Sequence, residues 1–205
     1  DNTINVHGTL DMASTRWTVG DGNSINLYSG AVVKGNGQGS NGALDWHEAG
    51  SVYVRSNNDE RTTITLSASI RLRANPTFNV AEGMTLIVNG TMTTYNGQRL
   101  LTKTGDGILQ YDGTADANAS FRIIEGIFSG TGIIGGNLTF NANAAFTVTD
   151  TTNLLMVNGT VSATDLAVTL PETDEQIIPV LQSKQVLTAE TLEEKRGYVL
   201  TVGEE

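Results

Sequence analysis

Along residues 64–74, ITLSASIRLRA, apolar and polar residues alternate one for one. Successive side chains on a strand point to opposite sides, so Ile64, Leu66, Ala68, Ile70 and Leu72 fall on one face and the polar residues on the other. The same signal recurs at short intervals. It predicts strands over residues 3–10, 24–28, 51–55, 62–66, 69–73, 84–88, 107–111, 119–124, 136–140, 144–148, 154–157, 165–170, 176–181 and 198–202. Clusters such as GDGNS, GNGQGSNG and NNDE separate them, and Gly, Asn, Asp and Ser are the residues of tight turns. Only residues 189–196 read as helical. Strands this dense, with so little helix, exclude an alternating βα architecture.

One phrase recurs: Val-x-Gly-Thr-apolar. It stands as VHGTL around Gly8, VNGTM around Gly90 and VNGTV around Gly159, with GGNLTF at 135–140 a looser relative. A glycine between two short apolar segments lets the chain turn a corner while both flanks still point inward. A solenoid coil needs such corners repeatedly. A β-sandwich, the alternative fold, also needs glycine turns but would rarely reuse the same strand–Gly-Thr–strand phrase. The text changes near Val161. Beyond it glycine thins out, and two of the 3 prolines and most of the glutamates appear. The expected organisation is β-helix coils over 1–161 and a C-terminal β cap over 162–205, because a solenoid end exposes an apolar cross-section that must be covered.

Composition narrows the possibilities. The chain has 205 residues, ample for one all-β domain, with 23 glycines and only 3 prolines. Lys plus Arg is 12 against 22 for Asp plus Glu, a formal charge of −10 that argues against nucleic acid as a partner. Cysteine is absent, which excludes a disulfide framework and a thiolate metal site. It suits a cytosolic protein, or an exported one that crosses a membrane unfolded. No apolar run approaches the roughly 20 residues that span a bilayer, so no transmembrane segment is expected. No signal peptide is visible. The chain opens at Asp1 inside a strand-like segment, as an excised or mature piece would.

Residues 101–113, LTKTGDGILQYDG, carry a resemblance. The stretch resembles the autotransporter-associated β-strand repeat of passenger domains: Leu101, Lys103, Gly105, Gly107, Leu109 and Gly113 occupy its marked positions. The spacer TADANAS, the segment FRIIEGIFSG and the following GTGIIGGNLTFNANAAFTV are similar to what succeeds that repeat. The stretch at 114–118 departs from the Thr-Tyr-Thr-Gly phrase that often stands there. The resemblance implies a right-handed parallel β-helix, export, and display at the cell surface in association with an outer membrane. On this reading KTGDG is the turn of a coil. It lacks the Gly-Lys-Ser/Thr ending and the strand-to-helix setting of a phosphate loop.

Chemistry is sparse. LDWHEAG, residues 44–50, is the one place where an acid, a base and an aromatic stand together. There Asp45 and His47 could share a proton or a metal, and Trp46 could stack on a sugar. The structural reading is a strand with Leu44 and Trp46 inward and Asp45 and His47 outward. His7 takes the place of Asn89 and Asn158 in the sister phrases and is expected to be an outward polar residue. Asp21, Asn23, Asp106, Asp112 and Asp116 sit among glycines, but their spacing fits neither an EF-hand loop nor a calcium β-roll. No nucleophile elbow or compact carboxylate pair is present. Arg71 and Arg73 share one outward face.

The leading expectation is therefore a non-enzymatic β-helix segment, exported and displayed as a stalk, spacer or adhesin, with no cofactor and no metal. Function would then lie in outward loops such as 35–41 and 56–60. A glycan-binding module is the alternative, with contacts at Trp46, His47, Trp17 and Tyr53, and with Tyr95 as a further exposed ring. A polysaccharide-acting β-helix enzyme is the third possibility. Host or environmental glycans, surface proteins and end-to-end self-association are the partners to consider. Gly105, Gly107, Gly113, Gly8, Gly90 and Gly159 are expected at structural turns.

Overall fold

The computed structural model describes residues 3–20, 23–36, 44–47, 50–56, 62–150, 153–163, 166–169 and 199–200. Each circuit of the chain lays three short strands around a core, and the next circuit stacks three more on them. The first face holds β1 (Thr3–Val6), β4 (Ser24–Tyr28), β7 (Ser51–Arg55), β10 (Thr77–Val80), β13 (Arg99–Thr104), the leading parts of β16 (Ala119–Ser129) and β18 (Leu138–Thr147), and β20 (Val161–Ala163). The second holds β2 (Thr9–Asp11), β5 (Val32–Lys34), β8 (Thr63–Leu66), β11 (Thr85–Val88), β14 (Ile108–Tyr111), the trailing parts of β16 and β18, and β21 (Leu166–Thr169). The third is a separate 7-stranded sheet of β3 (Trp17–Val19), β6 (Leu44–Trp46), β9 (Ile70–Leu72), β12 (Thr91–Thr94), β15 (Thr114–Ala115), β17 (Ile133–Ile134) and β19 (Met156–Val157). Pairing between coils is parallel throughout. Seven stacked rungs on the third face make about six turns of an all-β parallel solenoid. No helix occurs among the described residues. β22 (Val199–Leu200) pairs antiparallel with β21, Leu166 opposite Leu200. The helix expected at 189–196, the strand expected at 176–181 and most of the expected cap lie outside the described residues.

The inward alternation survives the corners. Ile64, Leu66, Ala68, Ile70 and Leu72 are each 1 % exposed or less, yet they belong to two strands on two faces. Ala68 holds the corner between them. The amides of Ser67 and Ala68 both donate to the Val33 carbonyl, at 2.7 and 3.1 Å, so the corner itself joins the ladder to the coil below. This keeps buried backbone groups paired where a strand pair would ordinarily end. The segment at 3–10, expected as one strand, is broken in the same way into β1 and β2. The segments 119–124 and 136–140 instead run on round the corner as β16 and β18. Their register shifts between Ile123 and Glu125, and Gly126 takes a φ of 74°.

The core is a column of such inward residues. Rings continue it upward: Tyr111 meets Phe121 at 4.8 Å, Phe121 meets Phe128 at 6.1 Å, and Phe128 meets Phe140 at 6.1 Å between centroids. Each fully buried Leu, Ile or Phe contributes about 1.5–3 kcal/mol of transfer free energy, which is what closes the coil.

The three sister phrases turn out to mark three different corners. Gly8 lies between the first and second faces, Gly90 between the second and third, and Gly159 between the third and first. The phrase specifies a corner between two short inward-facing strands, not a position in the coil. Gly113 shows why close approach demands glycine: a Cβ there would overlap the Gly90 carbonyl oxygen of the coil below. Gly105 adds a conformational demand, with a φ of 79° and a would-be Cβ on the Val80 carbonyl.

Candidate functional site

Two buried charges stand out, Asp45 and Lys103, each 0 % exposed. Lys103 occupies an inward position of β13, in register between Phe78 and Ile123. Its stem follows the core, and its ammonium caps the corner. Nζ donates to the carbonyl of Gly105, to that of Glu125 at 3.0 Å and to that of Thr104 at 3.3 Å. The Glu125 carboxylate accepts from the Gly105 amide at 2.8 Å, closing the same corner from outside. Burial pushes the Lys103 ammonium down to about 8, while Glu125 and Asp106 pull it back. The lysine and glycines of KTGDG therefore build a corner between coils.

Asp45 lies on the opposite side of the wall. It is the central residue of β6, between Leu44 and Trp46, whose side chains enter the core. On the outer face the ladder runs Thr18, Asp45, Arg71, Thr93, one residue per coil. Residues at the ends of these strands close over the carboxylate. Arg73 Nε donates to Oδ1 at 2.9 Å and to Oδ2 at 3.3 Å, His47 Nε2 lies 3.3 Å from Oδ2, and Arg16 Nη1 lies 3.6 Å from it. The backbone holds these groups in place: Arg73 N bonds to the Trp46 carbonyl at 2.7 Å, and Tyr95 N to the Leu72 carbonyl at 2.8 Å. The Asp45 carboxylate raises the Arg73 ionisation above its ordinary value, so that guanidinium stays charged. The guanidinium carbons of Arg71 and Arg73 lie 4.5 and 4.1 Å from the centroid of Tyr95, a cation–π arrangement with a ring that is itself 38 % exposed.

The sequence-predicted contacts are dispersed. Trp46 is 0 % exposed and packs on Phe78 at 6.0 Å, so its ring belongs to the core and cannot stack on a ligand. Alternation places it inward for the same reason that it places Asp45 outward. Trp17, in register with Leu44, also packs against the core. Tyr53 is outward but stands on the first face, in register with Asn26 and Asn79, with Arg55 4.9 Å from its centroid. Of these four only His47 belongs to the Asp45 group, while Tyr95, the further ring, stands against its arginines. Asp45 and His47 do converge, since they are two positions apart on one strand face. His7 is exposed and stacks on Tyr28 at 4.1 Å.

The acidic turn residues serve the turns. Asp112 Oδ1 accepts from Thr131 N at 2.9 Å and Thr131 Oγ1 at 3.1 Å, and its Oδ2 accepts from Gln110 at 2.6 Å. Asp116 accepts from Thr94 N at 2.6 Å and Asn118 N at 3.0 Å. No group of three metal-ligating side chains occurs among the described residues, and no helix among them is long and apolar enough to cross a membrane. Asp21, Glu48 and most of the loops at 35–41 and 56–60 lie outside the described residues. Compared with protein-family models, curated proteins and solved structures, the chain matches none.

Proposed function

We propose that this chain is a non-enzymatic β-solenoid segment, exported and displayed at a cell surface as a stalk, spacer or adhesin. The observation that carries this reading is the unbroken register of the first face. Thr3, Ser24, Ser51, Thr77, Thr102, Arg122, Thr139 and Ser162 succeed one another as ladder partners through every described coil. Such a stack transmits load along its axis through many parallel hydrogen bonds, and each coil is supported by its neighbours. The passenger-type pattern of Leu101, Lys103, Gly105 and Gly107, the absence of cysteine and the charge of −10 all suit an exported, solubly displayed surface.

The test is deletion of residues 77–101 from the native full-length protein in its own cells. Thr77 and Thr102 are ladder partners, so the cut removes one whole coil and rejoins the chain in register. Expected are retained reactivity of intact cells with an antibody to the chain, a β circular-dichroism spectrum for the purified segment, and a solenoid shorter by one rung. Intact cells that never react with the antibody, even when producing the undeleted protein, would sink the display reading. Turnover of a polysaccharide by the purified chain would overturn its non-enzymatic part.

A further inference from the structure

We propose that the outer face around Asp45 is a binding site for an anionic sugar, with Arg16 and Arg73 taking its acid group and Tyr95 stacking on its ring. This inference does not depend on display at a surface.

Three observations support it. The first is charge. Arg16 and Arg73 both lie on the single carboxylate of Asp45, so two positive groups share one negative one on a chain of net −10. The second is how the group is built. Asp45 is fully buried and holds Arg73 through Nε, so the Nη edge of the fork is not used on Asp45. The two Nη groups form one of the two edges by which a guanidinium pairs bidentately with a carboxylate or sulfate, the Nε–Nη edge being the other. Arg16, with 44 % of its side chain exposed, stands beside it. The third is Tyr95, a large ring left exposed directly beside two guanidinium groups.

A flat ring next to fixed cations suits a pyranose, whose C–H face packs on the aromatic while its acid group reaches the arginines. An extended peptide fits less well. The β6 and β9 backbones are paired on both sides, so this face offers no strand edge to which a main chain could add. The overall negative charge repels polyanions at a distance, so recognition must come from the local contacts.

The experiment is calorimetric titration of the 205-residue chain with four probes: oligogalacturonate, a heparin oligosaccharide, neutral dextran oligomers and poly-glutamate. Binding of either acidic sugar, with neither dextran nor poly-glutamate bound, is the expected result. The first two probes distinguish a carboxylate from a sulfate as the acid. Tyr95→Ala should weaken that binding at least tenfold, which is about 1.4 kcal/mol, and Arg16→Gln should weaken it several-fold. Both variants keep the Arg73–Asp45 contact, and an unchanged melting curve confirms that they fold. Silence towards both acidic sugars overturns the site. Poly-glutamate binding as tightly as the sugars, or sugar binding indifferent to Tyr95, overturns it in favour of a plain electrostatic patch.

Discussion

Lys103 and Asp45 are equally buried, but their surroundings differ. Lys103 sits inside the solenoid and spends its donors on the backbone carbonyls of Thr104, Gly105 and Glu125. Asp45 sits outside it and is covered by side chains, Arg16, His47 and Arg73, whose far ends reach solvent. A charge satisfied by backbone forms a closed corner with nothing left to offer a ligand. A charge satisfied by exposed cations organises a platform. Burial alone does not separate the two roles; the identity of the partners does.

Four changes should break or sharpen this contrast. The largest effect is expected for Lys103→Met, which leaves the corner carbonyls without their donor; a loss of about 3–5 kcal/mol in urea unfolding is expected, with the β spectrum retained in the folded fraction. Wild type carries a matching pH signature. Below about pH 8 folded and unfolded chains both hold the Lys103 proton; between about 8 and its ordinary value of 10.5 only the unfolded chain does, so stability should rise with pH across that window. Tyr111 acts in the opposite sense. Its buried hydroxyl has no hydrogen-bond partner among the described residues, and burial raises its ionisation, so stability should fall again well above pH 10. Thermal melts from pH 7 to 11 should show the rise, and Lys103→Met should lack it.

Gly105→Ala is next. A side chain at a φ of 79° with its Cβ on the Val80 carbonyl should lose about 2–3 kcal/mol. Asp45→Asn comes third. It keeps the shape but leaves the Arg16 and Arg73 guanidinium groups without the carboxylate they share, and about 1–2 kcal/mol should be lost, less at high salt. Tyr95→Ala should be smallest, within about 0.5 kcal/mol of wild type, because the ring is at the surface. If Asp45→Asn matched Lys103→Met in cost, the outer group would be as structural as the inner one.

The alternation of Ile64 to Leu72 and the glycine corners were legible in the sequence, because both follow from local rules. The inward side of a strand repeats every second residue, and only glycine tolerates the approach seen at Gly113. The third sheet was harder. Thr114–Ala115, Ile133–Ile134 and Met156–Val157 are two residues long, too short for alternation to register. The group around Asp45 was legible only in part. Asp45, His47, Arg71, Arg73 and Tyr95 could each be picked out as outward residues, but their meeting depends on coils of unequal length. Arg73 is 28 residues from Asp45, whereas Ser120 and Asn137, also neighbours between coils, are 17 apart. The rungs of this ladder, Thr18, Asp45, Arg71 and Thr93, are unevenly spaced along the chain, so no fixed period predicts the meeting. Trp46 carried two readings: its chemistry suggested a surface ring, while its parity on the strand placed it inward, where it lies.

The unequal coils also mean that the molecule measures distance in rungs rather than residues. A coil of 17 residues and one of 21 advance the axis by the same ~4.8 Å. Residues inserted at a corner would widen the cross-section there and decorate one flank, while reach would stay the same. Only a whole added circuit would lengthen it. Girth and span can thus change independently, by two different kinds of genetic event.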